Sequence, residues 1–229
     1  MTSPSPAISS FVRLPTAALI LASSSQTRQT MLANAGIAFS AKSAPVDEAA
    51  MRDAALAENM AKDDIAVLLA DMKAQAVSMR LAAGDDSYVL GADQILVCDD
   101  VLFAKPENPE AAEQHLQILS GKTHKLITAA VIYQQGQRIW HHIESADMTM
   151  RTLDDDFISA YVTAMGEAAL YSPGAYQIEG LGAHLFSQIK GCHYAILGLP
   201  LLQILGFLRP HGLAPVPASD GSASSGSTL

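Results

Sequence analysis

From residue 17 onward, short apolar runs alternate with stretches in which apolar residues recur every three or four positions. "ALILAS" at 18–23 is a continuous run of the kind that forms a buried strand. It passes through serines into a helix from Ser24 to Ala35, ended by Asn34 to Gly36. "IAFSAKSAP" predicts a second strand. Ile65, Leu68, Leu69, Met72, Ala76 and Met79 keep helical spacing, with Asp63 or Asp64 as cap and a stop near Gly84. "SYVLGADQILVCDDVLFAKP" reads as a hairpin turning at Asp99 and Asp100, followed by a helix from Pro109 to Leu119. A longer hairpin turns near Gln135 to Gln137, and "DDDFISAYVTAM" is a capped helix. "GAYQIEGLGAHLFSQIKG" is Gly-punctuated and strand-like, and "PLLQILGFL" is a helix with Pro200 in its first turn. Hairpins scattered among helices predict an α/β class with a mixed sheet.

Composition sets the bounds of this pattern. Residues 1–16 and 210–229 are rich in Ser, Pro, Gly and Ala without a period and read as flexible tails, leaving one domain over 17–209. Hydrophobic residues make up 49% of the chain, enough for a sizeable core. The formal charge of −9 argues against nucleic-acid or anionic-membrane partners, so a phosphate ligand has to be met by a few local cations. Cys98 and Cys192 are too few and too isolated for a disulfide framework or a zinc site; they read as buried filler in a reducing, cytoplasmic protein. His141 and His142 are adjacent and would face opposite sides of a strand, which disfavours a His-based metal site. No run approaches the ~20 apolar residues of a membrane span. Arg13 before "LPTAALILA" resembles an export signal only weakly, with one charge and a short apolar run.

A few residues resist this bland picture. The serine-rich handover at 23–25 aims backbone N–H groups and the positive end of a helix dipole at one spot, a ready anion site. Arg28 in that first turn opposes the dipole, a penalty of about 0.3–1 kcal/mol that a bound anion would remove. The alternative is a serine that simply caps the helix while Arg28 points to solvent. Asp93 sits in the otherwise small or apolar run "YVLGADQILVC", where an ionised carboxylate needs a cleft, a cation or a metal; a general base or metal ligand is its natural use, and a structural ion pair the alternative. Lys73 lies at the margin of its helix's apolar stripe. Lys105 falls opposite Gln94 if the hairpin turns at Asp99 and Asp100, which sets its ammonium level with Asp93. Asp47 and Glu48 follow a strand, and Glu179 is a charge beside Gly180. Carboxylates for a hard divalent cation, together with cations and a helix N-terminus for a polyphosphate, point to nucleotide chemistry with Mg²⁺ or Mn²⁺.

The segments "LILASSSQTRQTML", "SAPVDE", "KAQAV", "LGADQILV", "AKPENPEAAEQHLQILSGKTHKLITA", "YVTAMGEA", "GAYQIEGLGAHLF" and "IKGCHYAILGLPL" follow, in order, the pattern of the Maf-like nucleoside triphosphate pyrophosphatases. The resemblance spans about 17–208. It implies a two-lobed α/β fold of the Maf/inosine-triphosphatase kind, with an elongated twisted mixed sheet, a central nucleotide cleft and commonly a homodimer. It also implies metal-dependent hydrolysis of a nucleoside triphosphate to the monophosphate and pyrophosphate. On that resemblance Asp93 is the proton acceptor, Lys73 and Lys105 join it in catalysis, and Ser23, Ser25 and Arg28 hold the triphosphate. Glu48 and Asp93 are then the metal contacts.

Substrate choice within the family rests on three positions. Where the family has Ser-Pro-Arg-Arg or Ser-Pro-Trp-Arg, this chain has Ser25-Gln26-Thr27-Arg28, so Thr27 replaces a bulky or charged residue. Gln94 and Glu179 resemble the branch that hydrolyses 7-methyl-GTP rather than the one that hydrolyses dTTP and UTP. A carboxylate can accept both N–H groups of a guanine edge, whereas the carbonyls of uracil would repel it. The expected activity is house-cleaning of a modified nucleotide. A dTTP/UTP pyrophosphatase, an enzyme for inosine or xanthosine triphosphate, and a nucleotide-binding regulator of septum formation are the alternatives.

Overall fold

The computed structural model describes residues 18–215. Its elements run β1 (Leu19–Leu21), α1 (Gln26–Asn34), β2 (Ser40–Ala41), α2 (Glu48–Ala57), α3 (Lys62–Ser78), β3 (Tyr88–Cys98), β4 (Val101–Phe103), α4 (Pro109–Leu119), β5 (Thr123–Gln134), β6 (Gln137–Met150), α5 (Asp155–Met165), β7 (Phe186–Lys190), α6 (His193–Ile196) and α7 (Leu201–Leu208). One sheet carries the strands in the order β2-β1-β3-β5-β6-β7, with β4 also paired to β3. β1 is parallel to β2 and β3, and every other pair is antiparallel, so the sheet is mixed as the hairpins implied.

Local chemistry explains most boundaries. The β3–β4 hairpin turns through Asp99 and Asp100 at φ of 50° and 64°, the left-handed pair that a two-residue hairpin loop demands and that Asp tolerates. Gln135 and Gly136 do the same between β5 and β6. Asn108 and Asp154 cap α4 and α5 through side-chain oxygens that accept from Ala111 N and Phe157 N, each at 2.8 Å.

Several expectations need correction. The second strand shrinks to Ser40–Ala41, and α2 occupies a stretch for which the apolar pattern gave no element. Neither Asp63 nor Asp64 caps α3; both lie in its first turn, where their charge favours the dipole. That helix ends at Ser78, short of Gly84. Of "GAYQIEGLGAHLFSQIKG" only Phe186–Lys190 is a strand, because the chain before it folds tightly on itself: a Cβ on Gly182 would lie 2.4 Å from Gln177 O. Cys98 is buried as expected, but Cys192 is only partly so. The expected N-terminal tail at 1–16 and positions 216–229 of the C-terminal one lie outside the described residues. Ordered packing runs past 209, since Leu213 and Ala214 are buried in the core.

The long strands β3 and β5 pass through two lobes. In one lobe α1 and α7 cover one face of the sheet around Leu21, Leu90 and Ile204, while α3 covers the other around Ile65, Ala70 and Val89. In the second lobe α4, α5 and the loop before β7 pack around Leu96, Leu116, Met148 and Tyr176.

Candidate active site

The site arises from a gap in the sheet. On the same edge of β3, β1 pairs with Tyr88 to Leu90 and β4 with Leu96 to Cys98. Between them, no described strand covers positions 91–95. Asp93 is at the centre of that gap, where β1 gives way to the serines leading into α1 and the two lobes meet.

Alternation along β3 sends Asp93 to the α3 face with Val89 and Ile95, and Gln94 to the opposite face with Leu90 and Leu96. Asp93 is 7% exposed, and its Oδ1 accepts from Lys73 Nζ at 2.6 Å. Glu48 Oε2 lies 3.0 Å from the same ammonium. Lys73 therefore joins the first turn of α2, the middle of α3 and the centre of β3. Asp47 does not enter this cluster; its Oδ1 caps α2 by accepting from Ala50 N at 3.0 Å.

Opposite stands the β1–α1 junction. Ser25 is the helix cap, its Oγ 3.4 Å from Arg28 N, and Ser23 Oγ accepts from Ser25 N at 3.1 Å. Arg28 nevertheless turns inward rather than to solvent. Its Nε donates to Gly198 O at 2.8 Å, and its Nη1 lies 3.4 Å from Ser23 Oγ. Burial pushes the guanidinium's pKa down from its ordinary value, while the charges of Asp93 and Glu48 push it back up. It stays a cation with N–H donors to spare, facing an acidic pair, which suits an anionic ligand bound between them.

The residues that could hold a metal are the Glu48 and Asp93 pair. Both carboxylates already converge on one cationic nitrogen, and among the described residues no group of three or more His, Cys, Asp or Glu side chains gathers as a metal site. Two carboxylates, with water and phosphate oxygens completing the shell, match the way Mg²⁺ is usually held.

The remaining candidates stand apart. Lys105 lies two residues beyond the end of β4, exposed, and makes no hydrogen bond or ion pair with the described residues; the ladder that would have set it opposite Gln94 stops at Phe103. Thr27 is half-buried in the first turn of α1. Glu179 is exposed in a turn of the second lobe, not in a strand. Gln94 lies beside Asp93 in sequence but on the other face, its amide nitrogen bonded to Thr128, Ala195 and Ile196. Gly198, Thr128 and Gly91 went unassigned in the sequence reading. "IKGCHYAILGLPL" carried a signal for Gly198 alone, since its glycines permit close approach of backbone to a side chain.

Residues 18–211 match the model of the Maf-like protein family. The chain is a Maf-like protein. Over 195 residues it is 48% identical to a nucleoside triphosphate pyrophosphatase of Nitrobacter hamburgensis, covering 85% of this chain and 94% of the relative. A protein of Rhodospirillum rubrum with the same name is 44% identical, covering 85% of this chain and 95% of the relative. A 7-methyl-GTP pyrophosphatase of Brucella abortus is also 44% identical, covering 85% and 96%. Membership agrees with the mixed sheet and two-lobed core of this Maf-like chain. Among its described residues no helix is long and apolar enough to cross a membrane.

Proposed function

We propose that this Maf-like protein hydrolyses a nucleoside triphosphate to the monophosphate and pyrophosphate, with 7-methyl-GTP preferred. The observation that carries the reading is the Asp93 carboxylate in the sheet gap, 2.6 Å from Lys73 and near enough to Arg28 for its charge to push that guanidinium's pKa up. A merely structural ion pair would not need the neighbouring guanidinium and the serine-lined helix start. The names of the relatives in Nitrobacter and Rhodospirillum support the general activity.

In the reaction, water attacks the α-phosphorus and Asp93 accepts its proton, while the bond to the bridging oxygen of pyrophosphate breaks. Arg28, Ser23 and the N–H groups at the start of α1 hold the phosphate chain in line. Lys73, poised between the two carboxylates, neutralises charge developing on the phosphoryl oxygens. Lys105, exposed just beyond β4, is the further cation that the family resemblance assigns to the phosphate chain. Glu48 and Asp93 would hold Mg²⁺ or Mn²⁺, which when bound supplies further positive charge to the phosphate oxygens.

Preference for 7-methyl-GTP rests on Glu179. Its exposed carboxylate is free to accept from N1–H and the exocyclic amine, donors that the positive charge of a methylated ring strengthens. The Brucella relative's name agrees with this branch. A panel of 7-methyl-GTP, GTP, UTP, dTTP and inosine triphosphate, assayed for pyrophosphate release with Mg²⁺ or Mn²⁺, tests both levels. The highest kcat/KM is expected for 7-methyl-GTP, and Glu179→Gln should lower it roughly tenfold relative to UTP, about the worth of one charge-assisted hydrogen bond. A wild-type preference for UTP or dTTP would refute the base assignment, and no release from any triphosphate would refute the activity.

A further inference from the structure

Gln94 neighbours the proposed proton acceptor, yet its amide nitrogen is fully committed to protein acceptors. Nε2 lies 2.9 Å from Thr128 Oγ1, 2.9 Å from Ala195 O and 3.0 Å from Ile196 O. Main-chain carbonyls only accept, so the nitrogen end of the amide has to face them, and its two N–H groups are shared among three acceptors. Thr128, 1% exposed, sits directly opposite Gln94 in the β3–β5 ladder and donates its own hydroxyl to Ala195 O at 2.9 Å.

These two side chains therefore hold the end of α6. A single helical turn leaves its last carbonyls without partners inside the helix, and here Gln94 and Thr128 supply them. Ala195 O also accepts from Gly198 N at 2.9 Å, which ties the next turn of chain to the same point. Gly198 takes a φ of +100°, and its own carbonyl is the acceptor for Arg28 Nε at 2.8 Å. A Cβ at Gly198 would lie 3.2 Å from that Nε, so the contact is close on both sides.

We propose that Gln94 and Thr128 are positioning residues for Arg28: by pinning the carbonyls of α6 they fix the Gly198 carbonyl that aims the guanidinium at the phosphate chain. The proposal rests on the reading of the cleft as a triphosphate site. It moves Gln94 from base selection, where the family resemblance puts it, to phosphate binding. Its effect on affinity is then the same for every base.

Gln94→Met and Thr128→Val keep side-chain size and remove the donors. Two measurements decide the matter. The first is KM for 7-methyl-GTP, GTP, UTP and dTTP, with the inhibition constant of inorganic pyrophosphate, which has no base. The second is solvent exchange of the Arg28 Nε–H by heteronuclear NMR. In either variant the KM values and the pyrophosphate constant should rise together by roughly tenfold, the range for one misaligned hydrogen bond to a charged group, with the order of bases unchanged. The Arg28 Nε–H should exchange faster, and on an Arg28→Lys background the variants should add little further loss. A change confined to one base, or slow Nε–H exchange retained in a variant, would overturn the proposal. Thr128→Val gives the same readouts if Gln94→Met melts below the assay temperature. A wild-type protein that releases no pyrophosphate would overturn the activity instead, while the exchange measurement would still decide whether Gln94 and Thr128 hold Arg28.

Discussion

Gly91 is the position where a single methyl group should separate the fold from its chemistry. A Cβ there would lie 2.4 Å from Ala70 O, 2.8 Å from Ala74 Cβ and 3.0 Å from Ala74 N. Ala70 and Ala74 are both fully buried, so α3 has no flexible side chain to give way at this crossing. For Gly91→Ala the helix backbone must retreat by about 1 Å to restore ordinary van der Waals separation. Lys73 sits between those alanines on α3, and Asp93 lies two residues along the same face of β3 as Gly91. The retreat therefore falls on the 2.6 Å Lys73–Asp93 contact and on the 3.0 Å contact to Glu48. Overpacking of this kind costs about 1–3 kcal/mol of stability. A misplacement of about 1 Å in a catalytic group costs on the order of a hundredfold in rate. Thermal unfolding and steady-state pyrophosphate release measure the two effects separately. Gly206→Ala is the control: it lies inside α7 with nothing within 4 Å of its would-be Cβ, so alanine should stabilise by about 0.5–1 kcal/mol and leave kcat alone. If Gly91→Ala lowered the melting temperature but kept full kcat while folded, the inferred link from helix packing to Lys73 would be wrong.

Asp93→Asn should lower kcat by roughly 10²–10⁴, the range for losing a positioned general base, with a much smaller change in pyrophosphate inhibition; equal losses in both would assign Asp93 to binding instead. Chelation should abolish turnover and added Mg²⁺ or Mn²⁺ restore it, with Glu48→Gln raising the metal concentration needed for half activity. Acid stability should depend on His124, which is 2% exposed with Nε2 2.7 Å from the Tyr176 hydroxyl and Nδ1 without a partner among the described residues. Burial pushes its pKa down to about 4, so the unfolded chain takes up the proton first. The contribution of the neutral ring is complete above about pH 6.5 and shrinks as pH falls toward 4, with about 2 kcal/mol gone by pH 5. Denaturant unfolding at about pH 7.5 and pH 5 should show that loss and its reduction in His124→Gln; His115, also pushed down by burial, adds in the same direction.

Much of this was legible because sequence signals and local physics coincide. The turn at Asp99 and Asp100, the helix start at Pro109 and the capped start of "DDDFISAYVTAM" each rest on a turn or cap whose energetics are settled within four residues, and each was placed correctly, with Asn108 and Asp154 as the capping side chains. Asp93 was legible for a related reason, since a carboxylate among small and apolar strand residues has to find a partner. The misses lie where tertiary contact decides. α2 lacks an apolar stripe strong enough to declare itself, with only Ala55 buried, and it forms on an aspartate cap and alanine-rich composition. The loop before β7 has strand-like residues, but its glycines allow the backbone to fold back on Gln177, which no pattern of period two could signal.

Lys105 and Gln94 show where an accurate local reading of register stops short. The hairpin register was right as far as it ran, with Leu96 opposite Phe103, and extending it by two residues put Lys105 opposite Gln94. β4 ends first, at Phe103, and leaves positions 91–95 of β3 without a described strand on that edge. The interruption around Asp93 is thus what breaks the extrapolation of the register. Gln94 is the complementary case. Its neighbour faces the cleft, but strand alternation sends its own side chain to the opposite face, against an α6 that lies about a hundred residues further along the chain. Proximity in sequence to a reacting group says little on a strand, where successive residues serve different faces. A role through Arg28 becomes visible only once both faces are filled.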